Sequence, residues 1–347
     1  MKAVGLIANP ASGKDIRRMV AYGSTMDNQE KGCIVRRFLM GLALSDVDTV
    51  FYMKEYYGIL DYALENLQEQ DRKRIREKIC FRPIEEQFLG EELDSVRAAG
   101  YMAEEGVQCI VTLGGDGTNR AVAKRCGKVP LVPISTGTNN AFPSMTEGTV
   151  AGMAVGAYVC GNLPERETCV IPSKRIELLK DGELTEMALV DMVILNTENT
   201  AARALWNTDE FFQIFLTSCS NLAIGISAVG GALTSLPRDA EGGYYIRCGG
   251  KGTSLWVPIA PGLPRMVSVE EHRLLKMGEE VEIPQGSWIA AFDGERDLAI
   301  TNKETCSVRI TWNGPRRLDI GRIMELAGKA GYFQNTGKST QEVDSHE

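Results

Sequence analysis

The chain opens with six consecutive apolar positions, Ala3 to Ala8, then turns polar at Asn9-Pro10-Ala11-Ser12-Gly13. A short apolar run closed by a turn cluster predicts a strand buried on both faces. Apolar residues recur with helical spacing at Ile34, Val35, Phe38, Leu39 and Leu42, which predicts a helix over 31–44. The pattern predicts a second strand over 48–53, a helix over 57–67 and an amphipathic helix over 91–105. The charged stretch 68–78 reads as a solvated helix face or loop. Val107 to Leu113 is a β-branched strand followed by a helical run over 119–126, and 129–134 is another strand. Strand–helix alternation over the first 145 residues implies a parallel sheet of βαβ units.

After about residue 162 the pattern changes. Strands at 175–179 and 186–195 flank Lys180-Asp181-Gly182-Glu183, where Asp-Gly signals a hairpin. Residues 199–216 read as a helix. Short strands punctuated by Gly and Pro follow at 222–230, 244–248, 254–259, 265–269, 280–283, 287–292, 297–301 and 307–312. Helical spacing returns over 318–332 and suggests a segment that packs back on the first half.

The composition narrows the function classes. In 347 residues, 44% are apolar and 24% charged, which suits a globular protein rather than a disordered one. The 38 basic side chains against 46 acidic ones leave a charge of −8, which argues against sequence-independent binding to nucleic acid or anionic lipid. No run approaches the ~18 apolar residues of a membrane span, and the N-terminal apolar run is too short for a signal peptide. Nine cysteines, an odd number with no C-x-x-C, lie mostly in apolar segments and predict buried thiols in a reduced, cytoplasmic protein. With only two histidines, His272 and His346, a structural zinc site, a His-based triad and most catalytic metal centres are poor expectations. The 36 glycines point to tight turns and close backbone approaches.

The sharpest motif is Gly114-Gly115-Asp116-Gly117-Thr118 between a strand and a helix. There the backbone can approach a polyphosphate, and the helix N-terminus offers free N–H groups. A carboxylate amid anion-binding groups makes sense if Asp116 holds Mg²⁺ or takes a proton from an attacking hydroxyl; the alternative is an ordinary turn with Asp116 capping the helix. Walker A fails, because Gly13-Lys14 is followed by Asp15, and G-x-G-x-x-G fails at Arg120. In the loop after the first strand, Asn9 and Ser12 can hydrogen-bond a nucleotide, Gly13 permits a close turn and Lys14 can reach phosphate; a capped turn is the plain reading. Ser135-Thr136-Gly137-Thr138-Asn139-Asn140 is a third strand-end loop, rich in groups that suit ribose or phosphate oxygens. In the β-rich half, Asp293-Gly294-Glu295 is either a simple hairpin turn or a source of a second acid facing the nucleotide site.

These segments resemble, in this order, the superfamily of NAD kinases, diacylglycerol kinases and sphingosine kinases. They resemble more closely its acetoin-catabolism protein X branch, through NPASGKDIRR (9–18), GGDGTNRAVA (114–123), PISTGTNNAFP (133–143) and FDGERD (292–297). The resemblance implies an α/β nucleotide-binding domain over 1–160 and a β-rich, sandwich-like acceptor domain over 161–317; the residue pattern adds a return to the first domain over 318–335 and a polar, mobile tail over 336–347. The resemblance also implies catalysis by Asp116, with Glu295 as the alternative base and Asp116 and Asp293 as Mg²⁺ ligands. Gly114, Gly115, Gly117 and Thr118 would cradle phosphates. Asn9, Pro10, Ser12, Gly13, Lys14, Asn119, Thr136, Gly137, Thr138, Asn139 and Asn140 would line the nucleotide. The expected activity is ATP- and Mg²⁺-dependent transfer of a phosphoryl group to a small soluble acceptor, with NAD at its 2′-hydroxyl the leading choice. A lipid or polyol kinase and a non-catalytic nucleotide-binding regulator are the alternatives. No nucleic-acid partner and no stable membrane association are expected, and a homo-oligomer is. Lipid kinases usually place Asp where this chain has Asn140.

Overall fold

A computed structural model describes residues 1–13, 22–23, 26–85, 88–137, 140–161, 163–196 and 207–334, with the backbone alone at 295–297. In the first half the order is β1 (Ala3–Ala8), α1 (Asn28–Leu42), β2 (Thr49–Met53), α2 (Ile59–Glu65), α3 (Glu69–Lys78), β3 (Cys80–Ile84), α4 (Glu92–Glu104), β4 (Ile110–Gly114), α5 (Asp116–Ala123), β5 (Leu131–Ser135) and α6 (Gly148–Cys160). The second half runs β6 (Val170–Ile171), β7 (Arg175–Lys180), β8 (Glu183–Ala188), β9 (Asp191–Leu195), β10 (Phe211–Leu216), α7 (Ser227–Gly231), β11 (Gly243–Ala260) and β12 (Leu263–Leu275). It continues with β13 (Val281–Ile283), β14 (Trp288–Phe292), β15 (Glu295–Ile300), β16 (Cys306–Thr311), β17 (Arg317–Leu318) and α8 (Ile320–Lys329).

The first sheet has the order β3-β2-β1-β4-β5-β17-β6 and is parallel from β3 through β17, with β6 antiparallel. Two elements escaped the sequence pattern. β3 contains Pro83, which is tolerated because this strand forms the sheet edge. α6 is apolar on nearly every side and carries no periodicity, as befits a buried helix. Its Gly152 lies so close to α1 that a Cβ there would strike the Phe38 carbonyl. The closing helix α8 buries Ile323, Leu326 and Ala327 in the core shared by Phe38, Leu42 and Ala154.

Two antiparallel sheets, β12-β11-β10-β9-β14-β15 and β13-β16-β7-β8, form the second half. Alternation along β9 explains why they face each other. Met192 and Ile194 join Phe215, Phe292, Ile176 and Val308 between the sheets, while Val193 and Leu195 join Ile214, Ile246 and Val229 of α7 on the opposite side.

Several expectations are corrected here. Residues 211–216 are a strand, not a helix: FFQIFL has no period, and pairing with β9 and β11 decides its form. The rest of that expected helix, 199–206, lies outside the described residues. The stretch 222–230 is not a strand; α7 begins within it, after Gly225 at a φ of +91°. The expected strands 244–248 and 254–259 are one strand, β11, which shifts register around Cys248 and Thr253. The expected strand 186–195 breaks at Leu189-Val190 into β8 and β9, which join different sheets. A bridge from the residue just after α5 ties the halves together: the Lys124 ammonium lies 2.8 Å from both Glu92 and Glu186.

Candidate active site

The strand order reverses at β1, which has β2 on one side and β4 on the other. Open α/β sheets bind ligands in the crevice at such a point, beyond the carboxyl ends of the strands. Register sets the loops at one level: Ala8 pairs with Leu113, and Gly114 pairs with Ser135. Side chains then join the loops directly. Asn9 Nδ2 donates to Thr118 Oγ1 at 2.9 Å, and Thr136 Oγ1 donates to Ser12 Oγ at 3.2 Å. The first-strand, GGDGT and third loops therefore meet, as the sequence anticipates.

The glycines serve this convergence first. Gly13 sits at a φ of +78°, where a Cβ would also crowd the Met26 and Thr136 carbonyl oxygens at 3.2 and 3.3 Å. A Cβ on Gly114 would strike Thr118, and one on Gly115 would lie 2.9 Å from Asn140 Oδ1. Asn119 is fully buried; its amide donates to the Gly115 carbonyl at 2.9 Å and accepts from the Thr112 hydroxyl at 2.7 Å, bracing the turn. Asn140 donates to Ser135 Oγ at 2.9 Å, which folds the third loop on itself.

Asp116 occupies the first turn of α5, where the helix dipole favours a negative charge. Its carboxylate accepts from the Phe142 N–H at 2.7 Å and from the Ala141 N–H at 3.1 and 3.0 Å. The second acid arrives from the other half. Asp293, at a φ of +51° in the β14–β15 turn, accepts from the N–H groups of Leu189, Val190 and Asp191. These bonds explain the break between β8 and β9. Burial pushes the Asp293 carboxyl up to about 7; the charge of Arg120 opposes the rise and that of Asp116 adds to it. The two carboxylates therefore sense each other across the junction of the halves.

Sequence reasoning missed three of the groups involved. Arg120, one turn after Asp116 on α5, is fully buried, lies 3.1 Å from Glu92 and rests 5.7 Å from the Phe292 ring centre. Its spacing from Asp116 on one helix face was the available signal. Lys31 is also fully buried. Its ammonium donates to the carbonyls of Asn9, Pro10 and Ser12 at 2.8, 3.1 and 2.6 Å and to Asn28 Oδ1 at 3.1 Å, which fixes the first loop. Arg238 faces Asp116 and donates to the Phe142 carbonyl at 3.1 Å. Lys14, Thr138, Asn139 and the side chain of Glu295 lie outside the described residues. The backbone places Glu295 two residues beyond Asp293, at the start of β15.

Among the described residues no group of three His, Cys, Asp or Glu side chains could hold a metal ion alone. Asp116 is a hard oxygen donor beside a loop suited to phosphate. That donor set fits Mg²⁺, which keeps waters and takes one or two carboxylates together with substrate phosphates. Beside Asp116 lies a narrow cleft between the halves, lined by Phe142, Ser173, Leu189, Thr217, Arg238 and Arg317 among others.

A mostly parallel α/β domain joined to antiparallel sheets, with strand-end loops meeting at the reversal point, defines the NAD kinase fold. Residues 4–157 match the family model of the ATP-NAD kinase N-terminal domain, and residues 174–313 match that of the acetoin catabolism protein X C-terminal domain. Over 336 residues, 94% of this chain and 92% of the relative, the sequence is 36% identical to acetoin catabolism protein X of Cupriavidus necator. The chain belongs to the acetoin catabolism protein X family. Among solved structures, yeast NADH kinase complexed with NADH shares the fold at a TM-score of 0.52 and 14% identity, covering 98% of this chain and 90% of that one. No helix among the described residues is long and apolar enough to cross a membrane.

Proposed function

We propose that the protein is a kinase that moves the γ-phosphoryl group of ATP to a hydroxyl of a small soluble acceptor, with NAD at its adenosine ribose 2′-hydroxyl as the leading candidate. The observation that carries this reading is the meeting of three strand-end loops around Asp116, beside a cleft whose other wall belongs to the second half. A nucleotide tail would lie along the loop backbone, with Gly114, Gly115, Gly117 and Thr118 against phosphate and Asn9, Pro10, Ser12, Gly13, Lys14 and 136–140 around the rest; Asn119, buried and hydrogen-bonded to Gly115 and Thr112, braces the turn instead of meeting the nucleotide. The relative whose structure contains NADH makes a dinucleotide acceptor the natural first choice.

Two backbone N–H groups, those of Ala141 and Phe142, aim the Asp116 carboxylate. Asp116 takes the acceptor's hydroxyl proton as the oxygen–phosphorus bond forms and the bond to the ADP leaving oxygen breaks; Glu295 is the alternative base. Mg²⁺ would be held by Asp116 and Asp293 and would supply charge neutralisation at the phosphates. Positioning does most of the work in such a transfer.

The test is ADP release by purified protein with Mg-ATP against NAD, NADH, uncharged polyols and diacylglycerol in mixed micelles. Release with a dinucleotide is expected. Release only with diacylglycerol would favour a lipid kinase. ATP binding with no release from any acceptor would favour a regulator.

A further inference from the structure

The cleft beside Asp116 carries two arginines that no carboxylate pairs with among the described residues. Arg238 donates Nη1 to the Phe142 carbonyl at 3.1 Å. Arg317, at the start of β17, donates Nε to Ser173 Oγ at 2.9 Å and holds its guanidinium 5.3 Å from the Phe142 ring centre. Among the described residues neither forms a salt bridge. The acids that face them are engaged elsewhere: Asp116 binds the Ala141 and Phe142 N–H groups, and Asp319 caps α8 by accepting from the Arg322 N–H at 2.9 Å.

The residue Arg238 is exposed as a whole, but its guanidinium end is shielded against Phe142, and that burial lowers its pKa. Arg317 is lowered further, to about 10, by burial and then by the charge of Arg238. Two like charges sharing a shielded cleft oppose one another, and an anion between them relieves the conflict. Lys174 also lines this cleft and organises its wall. Buried, it donates to the Ala240 and Gly242 carbonyls, both at 2.9 Å, and so pins the turn that carries Arg238. The hydroxyl-bearing Ser173 and Thr217 complete the lining.

We propose that Arg238 and Arg317 grip a phosphate or diphosphate group of the phosphoryl acceptor, holding its hydroxyl toward Asp116. The inference rests on the kinase reading. Phe142 links the two functions in one residue, its N–H on Asp116 and its carbonyl on Arg238. Guanidinium pairs recognise phosphate oxygens bidentately, which an uncharged polyol or a diacylglycerol cannot exploit.

The experiment titrates the full chain with inorganic pyrophosphate by calorimetry, in the wild type, Arg317→Gln, Arg317→Lys and Arg238→Gln, with melting curves for each. Steady-state kinetics with NAD and ATP run alongside. Arg317→Gln is expected to weaken pyrophosphate about 10- to 100-fold, the size of one charge-assisted contact. It should raise KM for NAD by a similar factor and move KM for ATP less than about twofold. Arg317→Lys should recover part of the loss. If Arg317→Gln melts early, Arg238→Gln carries the same readout, because it gives up one hydrogen bond on an exposed turn. Equal pyrophosphate affinity in all four proteins, no binding by the wild type, or malate binding as tightly as pyrophosphate would overturn the grip. Arginine-dependent pyrophosphate binding without ADP release from any acceptor would keep the grip and end the kinase reading. ADP release untouched by either substitution would do the reverse.

Discussion

Replacing Asp116 with Asn separates two roles that one carboxylate combines. In the native protein Oδ1 accepts the Phe142 N–H at 2.7 Å and the Ala141 N–H at 3.1 Å, while Oδ2 accepts the Ala141 N–H at 3.0 Å. An amide retains one acceptor oxygen. With that oxygen on Phe142, its NH₂ confronts the Ala141 N–H, donor against donor. The charge is lost as well, and a hydrogen bond to an ion is worth about 1.5–3 kcal/mol against about 1 for a neutral one. Relaxation of the 140–142 segment recovers part of the difference, so Asp116→Asn should cost about 1–2 kcal/mol of stability.

The catalytic loss should be larger. Removing a general base costs a factor on the order of 10²–10⁴, or about 2.7–5.5 kcal/mol in the barrier. A displaced 141–142 segment would appear chiefly in KM for the acceptor, whereas a missing base appears in kcat at saturation. The assay is therefore saturating ADP-release kinetics at matched folded fraction, with urea unfolding of the same preparation. A kcat within about threefold of wild type, alongside the expected loss of stability, would leave Asp116 as a backbone staple and refute its role as base or metal ligand.

Two further perturbations probe the surroundings. Asp293 has a folded pKa of about 7 against an ordinary 3.8, so the folded state holds that proton more tightly. Its contribution to stability is therefore complete below about pH 4 and lost as pH rises to about 7, by an amount on the order of 4 kcal/mol. Urea midpoints across that range should fall in the wild type, flatten in Asp293→Asn and fall less in Asp116→Asn; identical profiles in all three proteins would contradict the assignment. Lys31→Met leaves the Asn9, Pro10 and Ser12 carbonyls without their shared donor and should cost about 2–4 kcal/mol, with weaker ATP binding measured by calorimetry. Unchanged stability and ATP affinity would show that the first loop holds its shape without it.

What could be read from the sequence was whatever a local pattern encodes. β1 ends where its apolar run ends, and the turn residues after β1, β4 and β5 are visible as punctuation. Their convergence was legible too, because a parallel sheet sends every strand's carboxyl end to one edge. Apolar stretches without a period were not legible: 211–216 became a strand because β9 and β11 flank it, and α6 a helix because α1 does. Charges held by distant partners were the other blind spot. Lys31, Arg120, Arg238 and Arg317 look like ordinary surface residues until a distant partner is known, such as Asn9 for Lys31 or Phe142 for Arg238.

The two acids of the site share a logic that follows from this. Each binds backbone N–H groups far away in the chain: Asp116 reaches 141–142, and Asp293 reaches 189–191 across about a hundred residues. The segments so held, Ala141-Phe142 and Leu189-Val190, are themselves walls of the cleft. An acid used in this way shapes the pocket through its charge, since a neutral amide cannot accept the same set of N–H donors. Protonation of Asp293 near neutral pH or metal binding at Asp116 would then be felt by the cleft walls directly, through the backbone that each carboxylate holds. The acids thus tie the strand-end loops to the shape of the cleft, and under the proposed kinase reading loss of either should alter acceptor affinity as well as turnover.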